Sequence, residues 1–177
     1  SDALRGKRRG GWRAKIFGRI PRRTTERYCV WLHAVSVGEV NLLRTLVAEI
    51  EECRPDWECV ISTSTATGYE LAKKRFTGRL VFYCPFDFSW AVHAAMSRVR
   101  PNLLVLAELE LWPNLIAAAR RRGARVAVIN GRLSARSYRG YQRIGWLAAR
   151  LLRSLDLVAV QNEEYAARFR ALGAPAD

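Results

Sequence analysis

V-W-L-H-A-V-S-V-G-E-V, residues 30–40, is the stretch whose reading decides the fold. It starts as an apolar strand, passes through a small-residue loop (Ser36, Val37, Gly38) and reaches a carboxylate, Glu39, at the mouth of a helix. A strand, a tight loop and a helix start form the basic unit of an alternating α/β sheet, whose strands open onto a ligand crevice at their carboxyl ends. Glu39 therefore has two readings. It is either a working residue at that crevice or an ordinary acid compensating a helix dipole.

Working outward from this unit, the pattern repeats. Strands are expected at Tyr28–Ala34, Trp57–Ser62, Leu80–Cys84, Leu103–Ala107, Arg125–Asn130 and Leu157–Val160. Between and after them, apolar residues at helical spacing predict helices from Glu39 or Val40 to about Arg54, then at Tyr69–Phe76, Trp90–Val99, Pro113–Arg122, Tyr141–Leu152 and Glu163–Leu172. Pro113 suits a first helical turn, where a missing N–H costs nothing, and Asp87 or Ser89 is placed to cap the helix that follows. Six strands alternating with helices argue for an α/β fold: a Rossmann-like open parallel sheet with helices on both faces, spanning residues 28–177.

The 177 residues suffice for one sizeable core, and half of them are hydrophobic, which excludes a disordered chain. The net charge of +14 is unevenly distributed. Residues 1–27 carry ten Lys/Arg against two Asp/Glu, and residues 98–153 carry twelve Arg against two Glu. Such an excess favours an acidic partner, whether nucleic acid, anionic lipid or a phosphorylated substrate, over a merely solvated face. Residues 1–27 read as a basic arm in which Trp12, Ile16, Phe17 and Ile20 recur at roughly helical spacing among Arg13, Lys15 and Arg19. That pattern fits an amphipathic helix on an anionic membrane surface, or an arm packed on the domain's own edge.

Polar residues cluster after the strand ends: Ser36 with Glu39, Ser62–Thr67 including Thr65, Asp87, Glu108 with Glu110, and Asn130 with Arg132, Ser134, Arg136 and Ser137. One sheet edge would thus carry carboxylates for base chemistry, guanidinium groups for phosphate or carboxylate recognition, and helix amino termini for anions. Other chemistries lack their motifs. No G-x-G-x-x-G follows the first strand, no G-x-x-x-x-G-K-[ST] occurs, and Ser36 is not in a G-x-S-x-G elbow. Cys29, Cys53, Cys59 and Cys84 form no C-x-x-C pair and have no nearby His, so no zinc site is expected, and Cys29 and Cys84 read as buried small hydrophobes. His33, inside the first strand, reads as a hydrogen-bonded core histidine rather than a catalytic base. No run approaches the roughly 20 apolar residues of a membrane span.

The motifs W-L-H-A-V-S-V-G-E-V, I-S-T-S-T-A-T-G, P-F-D-F, E-L-E-L-W-P-N and N-G-R-L-S-A-R-S, in this order, resemble the amino-terminal domain of 3-deoxy-D-manno-octulosonic acid (Kdo) transferases, over roughly Gly11 to Gly173. The resemblance implies one half of a GT-B glycosyltransferase. The amino-terminal domain would hold a phosphorylated lipid A precursor, and a carboxy-terminal domain, absent from this chain, would hold CMP-Kdo. It further implies inversion at the anomeric carbon, no metal or other cofactor, and work at the cytoplasmic face of the bacterial inner membrane. Glu39 would be the general base and Glu108 a second carboxylate, with Glu110 matching the same motif and not ranked against it. Ser36, Gly38, Thr65, Glu110, Asn130, Arg132, Ser134 and Arg136 would contact substrate. The chain departs from the family in beginning with the polar S-D-A-L-R-G-K-R-R-G in place of a hydrophobic anchor and in stopping at Ala176-Asp177. It is therefore expected to bind acceptor without turning over CMP-Kdo by itself. The reading outside this family is a non-enzymatic basic module that binds nucleic acid or an anionic membrane; nucleic acid is disfavoured because the aromatics are not interleaved with Arg along one groove.

Overall fold

The computed structural model describes residues 11–108 and 112–175. Six strands, β1 (Tyr28–Ala34), β2 (Trp57–Thr63), β3 (Val81–Tyr83), β4 (Leu103–Leu106), β5 (Arg125–Gly131) and β6 (Leu157–Val160), form one sheet in the order β3-β2-β1-β4-β5-β6. Every pairing is parallel, with His33 level with Ser62 on one side and Leu106 on the other. The expected Rossmann-like sheet is what the chain adopts. Residues 11–17 are helical (α1). They are followed by α2 (Val37–Cys53), α3 (Ala66–Arg75), α4 (Ser89–Val99), α5 (Pro113–Arg121), α6 (Ala135–Arg143), α7 (Gly145–Leu152) and α8 (Glu163–Ala171).

The strand order has a physical consequence. Right-handed crossovers carry the chain from β1 to β3 in one direction and from β4 to β6 in the other. Helices of the first half must then cover one face and those of the second half the other. The two apolar layers show this division. Val30, Leu32, Ala34, Ile61 and Val105 pack with Val40, Leu43 and Val47 of α2 and Ala72 of α3. Trp31, Val60, Leu104, Leu106, Val126 and Val128 pack with Met96 and Val99 of α4, Leu115 and Ile116 of α5, Leu152 of α7 and Phe169 of α8. Alternate residues of β1 thus feed opposite layers, as the two-residue strand period requires. Cys29 and Cys84 are buried as expected, and burial pushes the Cys29 thiol up to about 12.

Several element boundaries differ from the sequence reading. The loops after β1 and β2 are shorter than expected, because Ser36 and Thr65 cap α2 and α3 two to four residues earlier. The expected loop Asn130–Tyr138 ends as helix from Ala135: Ser134 caps α6, which buries no residue and so gives no apolar periodicity. The single helix expected at Tyr141–Leu152 is divided at Ile144 into α6 and α7.

The segment before β1 packs against the second layer. Ala14 and Ile20 enter the core, whereas Trp12 and Phe17 stay exposed. Gly18 has φ +61°, and a Cβ there would lie 2.0 Å from the Ala91 carbonyl oxygen of α4, so only glycine permits this approach. Arg23, 5% exposed, fastens the segment beneath the sheet. It donates to the carbonyls of Val99 (2.7 Å), Arg27 (2.9 Å) and Arg100 (3.2 Å) and pairs with Glu58 at 3.1 Å. Arg23→Ala removes all of these at once, and urea denaturation of the 177-residue chain should register a loss of about 3 kcal/mol. A loss within the range of an exposed ion pair, below about 1 kcal/mol, would mean that the segment is not integral to the fold.

Candidate functional site

The reversal of winding lies between β1 and β4, the two central strands, and the loops leaving them diverge to opposite faces. A crevice at the carboxyl ends follows from that divergence. After β1, Ser36 is the N-cap of α2 and Glu39 its third residue, and the two form a reciprocal capping box. The buried Glu39 carboxylate accepts from the Val35 N–H at Oε2 (2.7 Å) and from the Ser36 N–H (3.3 Å) and hydroxyl (2.8 Å) at Oε1. A carboxylate has about four acceptor directions, so roughly one, on Oε2, stays free. Exposed Gly38 sits in the first turn of α2, where a Cβ would make only an ordinary contact, 3.8 Å from the Ser36 hydroxyl.

The neighbouring β2 loop is tied to this one. The Thr65 hydroxyl donates to the Val35 carbonyl (2.9 Å) and accepts from the Gly68 N–H (3.1 Å), so its hydrogen-bonding capacity serves the two loops themselves. Lys15 of α1 reaches the Ser64 carbonyl at 2.7 Å. Beneath the loops, the Trp31 indole N–H donates to the Ser62 hydroxyl (2.7 Å), which also bonds His33 Nδ1 (2.9 Å). His33 is buried, as its position in the strand predicts. Burial lowers its pKa to about 4, and a hydrogen bond to the Ser62 backbone opposes this only in part. The ring is thus neutral at pH 7, and it meets Trp112 edge-to-face at 5.4 Å between centroids.

On the β4 side, the Ala107 N–H bonds the His33 carbonyl (2.9 Å), which brings Glu108 to the end of β1. Half-buried Glu108 lies 3.5 Å from the Asn130 Nδ2 and 3.9 Å from the Arg132 Nε. Asn130 has φ +55°, a left-handed conformation that Asn tolerates better than most residues. Its carboxamide oxygen accepts from the Gln161 side chain just beyond β6. Gln161 escaped the sequence reading, although the same carboxyl-edge rule points to it. Ser134 accepts from the Ser137 N–H as the cap of α6, and Arg136 is exposed on that helix, in contact with neither carboxylate. Glu110 lies outside the described residues.

Asp87 does not cap α4, whose N-cap Phe88 makes no side-chain bond. It caps α5 instead, its two oxygens accepting from the Asn114 (2.9 Å) and Leu115 (2.8 Å) N–H groups. Burial raises the pKa of its carboxyl, and the two N–H donors oppose the rise. Pro113 has no N–H, and the Ile116 N–H bonds the Trp112 carbonyl, so the first turn of α5 keeps no donor for an anionic ligand. A groove of about 380 Å³ lies to one side of this array, with the stacked Tyr69 and Tyr83 in its wall, and includes neither Glu39 nor Glu108.

Residues 10–177 match the family described as 3-deoxy-D-manno-octulosonic-acid transferase (kdotransferase). Over 148 residues, covering 82% of this chain, it is 35% identical to the 3-deoxy-D-manno-octulosonic acid transferases of Chlamydia pneumoniae and Haemophilus influenzae, in each case 34% of the relative's length. A Fusobacterium nucleatum bifunctional glycosyltransferase/methyltransferase is 36% identical over 148 residues, 82% of this chain and 23% of that protein. The chain therefore spans about a quarter to a third of the length of these relatives. It belongs to the 3-deoxy-D-manno-octulosonic acid transferase family.

The buried imidazole makes a signed prediction. Above pH 6.5, His33 is neutral in both folded and unfolded chains and contributes no pH dependence. Between pH 6.5 and about 4 the unfolded chain binds a proton that the folded chain refuses, so stability falls with pH. The loss is on the order of 3 kcal/mol. Urea denaturation of the parent and of His33→Gln across this window should give curves that converge as pH falls. Parallel curves would show that the imidazole takes up its proton within the fold.

Proposed function

We propose that this chain is the acceptor-binding half of an inverting glycosyltransferase that moves Kdo from CMP-Kdo to a phosphorylated lipid A precursor. Its support is family membership together with one feature of the edge: a buried carboxylate, Glu39, fixed by three donors at the point where the sheet reverses its winding. In this reading the free acceptor direction of Glu39 Oε2 takes the proton from the acceptor hydroxyl. The hydroxyl oxygen bonds to the anomeric carbon of Kdo, and the bond to the CMP phosphate breaks on the opposite face. Glu108, steadied by Asn130 and Arg132, is the second carboxylate and orients the acceptor. Ser36, Gly38, Ser134 and Arg136 line its approach, and Thr65 holds the first two loops in register. No metal or other cofactor enters these steps.

The same reading puts the protein at the cytoplasmic face of the bacterial inner membrane. Among the described residues no helix is long and apolar enough to cross a membrane. An aromatic patch, however, stands out of the second layer: Trp12 (59% exposed), Phe17, Phe88 and Trp90 (58% exposed). Trp90 stacks on Phe88 at 4.8 Å and donates to the Ile16 carbonyl, while Arg19 lies over Phe17. Aromatic rings rimmed by cations suit the headgroup region of an anionic leaflet.

The capping box offers a test of the base, because Gln can keep the Ser36 half of the box through its one carbonyl oxygen and loses only the Val35 bond at the second position. Glu39→Gln in the full-length enzyme should stay folded with a stability loss of about 1–3 kcal/mol and lower turnover of CMP-Kdo by about 10²–10⁴-fold. Near-normal turnover would remove Glu39 from the chemistry. In flotation assays the chain should rise with phosphatidylglycerol vesicles, less so as salt increases, and Trp12→Ser/Trp90→Ser should weaken this. Equal recovery with pure phosphatidylcholine would argue against an anionic docking surface.

A further inference from the structure

The turn Pro85–Phe88 has no role in the reaction as written, yet it is braced on two sides. Towards α1, the Phe86 N–H bonds the Lys15 carbonyl (2.7 Å), and the Phe86 ring meets Trp12 edge-on. Towards α5, Asp87 takes the only two first-turn N–H groups that lack a partner within the helix, and the Asn114 carboxamide returns a bond to the Asp87 carbonyl at 2.6 Å. This is the reciprocity of a capping box, built between segments 27 residues apart. The N-cap of α5, Trp112, supplies no such bond of its own.

What this fixes is Trp112. Its ring rests on His33, and the carbonyl of His33 holds the Ala107 N–H, so His33 lies against both described ends of the β4–α5 connection. One end is set by the sheet itself. The other depends on where α5 begins. We propose that Asp87 is a positioning residue for the transfer reaction: by capping α5 from the neighbouring loop it seats Trp112 on His33, the residue whose carbonyl holds the Ala107 N–H and with it the strand end that carries Glu108. This role rests on the functional reading above.

The experiment has one arm that needs no activity and one that does. In Asp87→Ala, amide exchange at Asn114 and Leu115 should speed up by about tenfold or more, because two charge-assisted bonds are lost. The Trp112 indole resonance should shift as the ring leaves His33. Asp87→Asn keeps one acceptor and should fall between parent and Ala, which guards against a variant that does not fold. In the full-length enzyme, Asp87→Ala should lower kcat about tenfold or more with a smaller change in KM, the sign of misplaced rather than lost contacts. Unchanged exchange and an unshifted indole would overturn the clamp. Faster exchange with parental kcat would overturn the positioning role. A parent enzyme that transfers no Kdo would overturn the functional reading and this role with it, and that outcome differs from failure of the role alone, in which the parent is active and the variant equally so.

Discussion

The constraint on which this structure depends is the handedness of its crossovers. Parallel strands joined through helices connect right-handedly, so a chain that winds outward from β1 to β3 and then returns to β4 must change faces. The return run through α4 puts a second layer of helices on the sheet and separates the loops that follow β1 and β4. Glu39 and Glu108 are brought to neighbouring strand ends by this topology, although about 70 residues separate them in sequence. The buried Arg23 cluster then ties the segment before β1 to the bottom of the same second layer, and Lys15 ties its other end to the loops after β2 and β3.

At that edge, side-chain capping of every helix that directly follows a strand, α4 excepted, shapes what remains for a ligand. Helix starts in such folds commonly present bare N–H groups to phosphates. Here Ser36, Thr65, Asp87, Ser134 and Asn162 each accept from first-turn donors of a helix. The edge consequently offers carboxylates, carboxamides and guanidinium groups more than helix dipoles. That inventory suits proton transfer from a sugar hydroxyl and recognition of a charged glycolipid better than the cradling of a nucleotide pyrophosphate. The groove beside Tyr69 and Tyr83 stands apart from the carboxylates. The carboxylates occupy an open edge whose opposite wall, in the proposed enzyme, comes from another domain.

Much of this architecture is legible in the amino-acid order. Strand identities follow from apolar and β-branched runs, and the burial of His33 and Cys29 follows from their strand positions. The family motifs mark Glu39, Glu108 and Asn130, and the fold brings them to one edge. Legibility fails where the deciding partner is distant or the apolar signal is absent. Asp87 reads as the cap of the next helix because a cap is ordinarily local, whereas its partners are Asn114 and Leu115. Residues 135–138 read as loop because α6 buries nothing and so has no periodic face. Gln161 falls under the carboxyl-edge rule, but its partner, Asn130 at the end of β5, becomes visible only in the fold.

The sequence by itself determined the alternation of strand and helix, the apolar layers and the family, because these rest on local periodicity and on motifs contiguous in the chain. Only the tertiary structure decided that Glu39 is at once a helix cap and the carboxylate at the switch point, that Trp112 rests on His33, and that α5 is capped from another loop. These are contacts between segments tens of residues apart. No local pattern encodes them, since they arise when the reversal between β1 and β4 brings those segments to one edge.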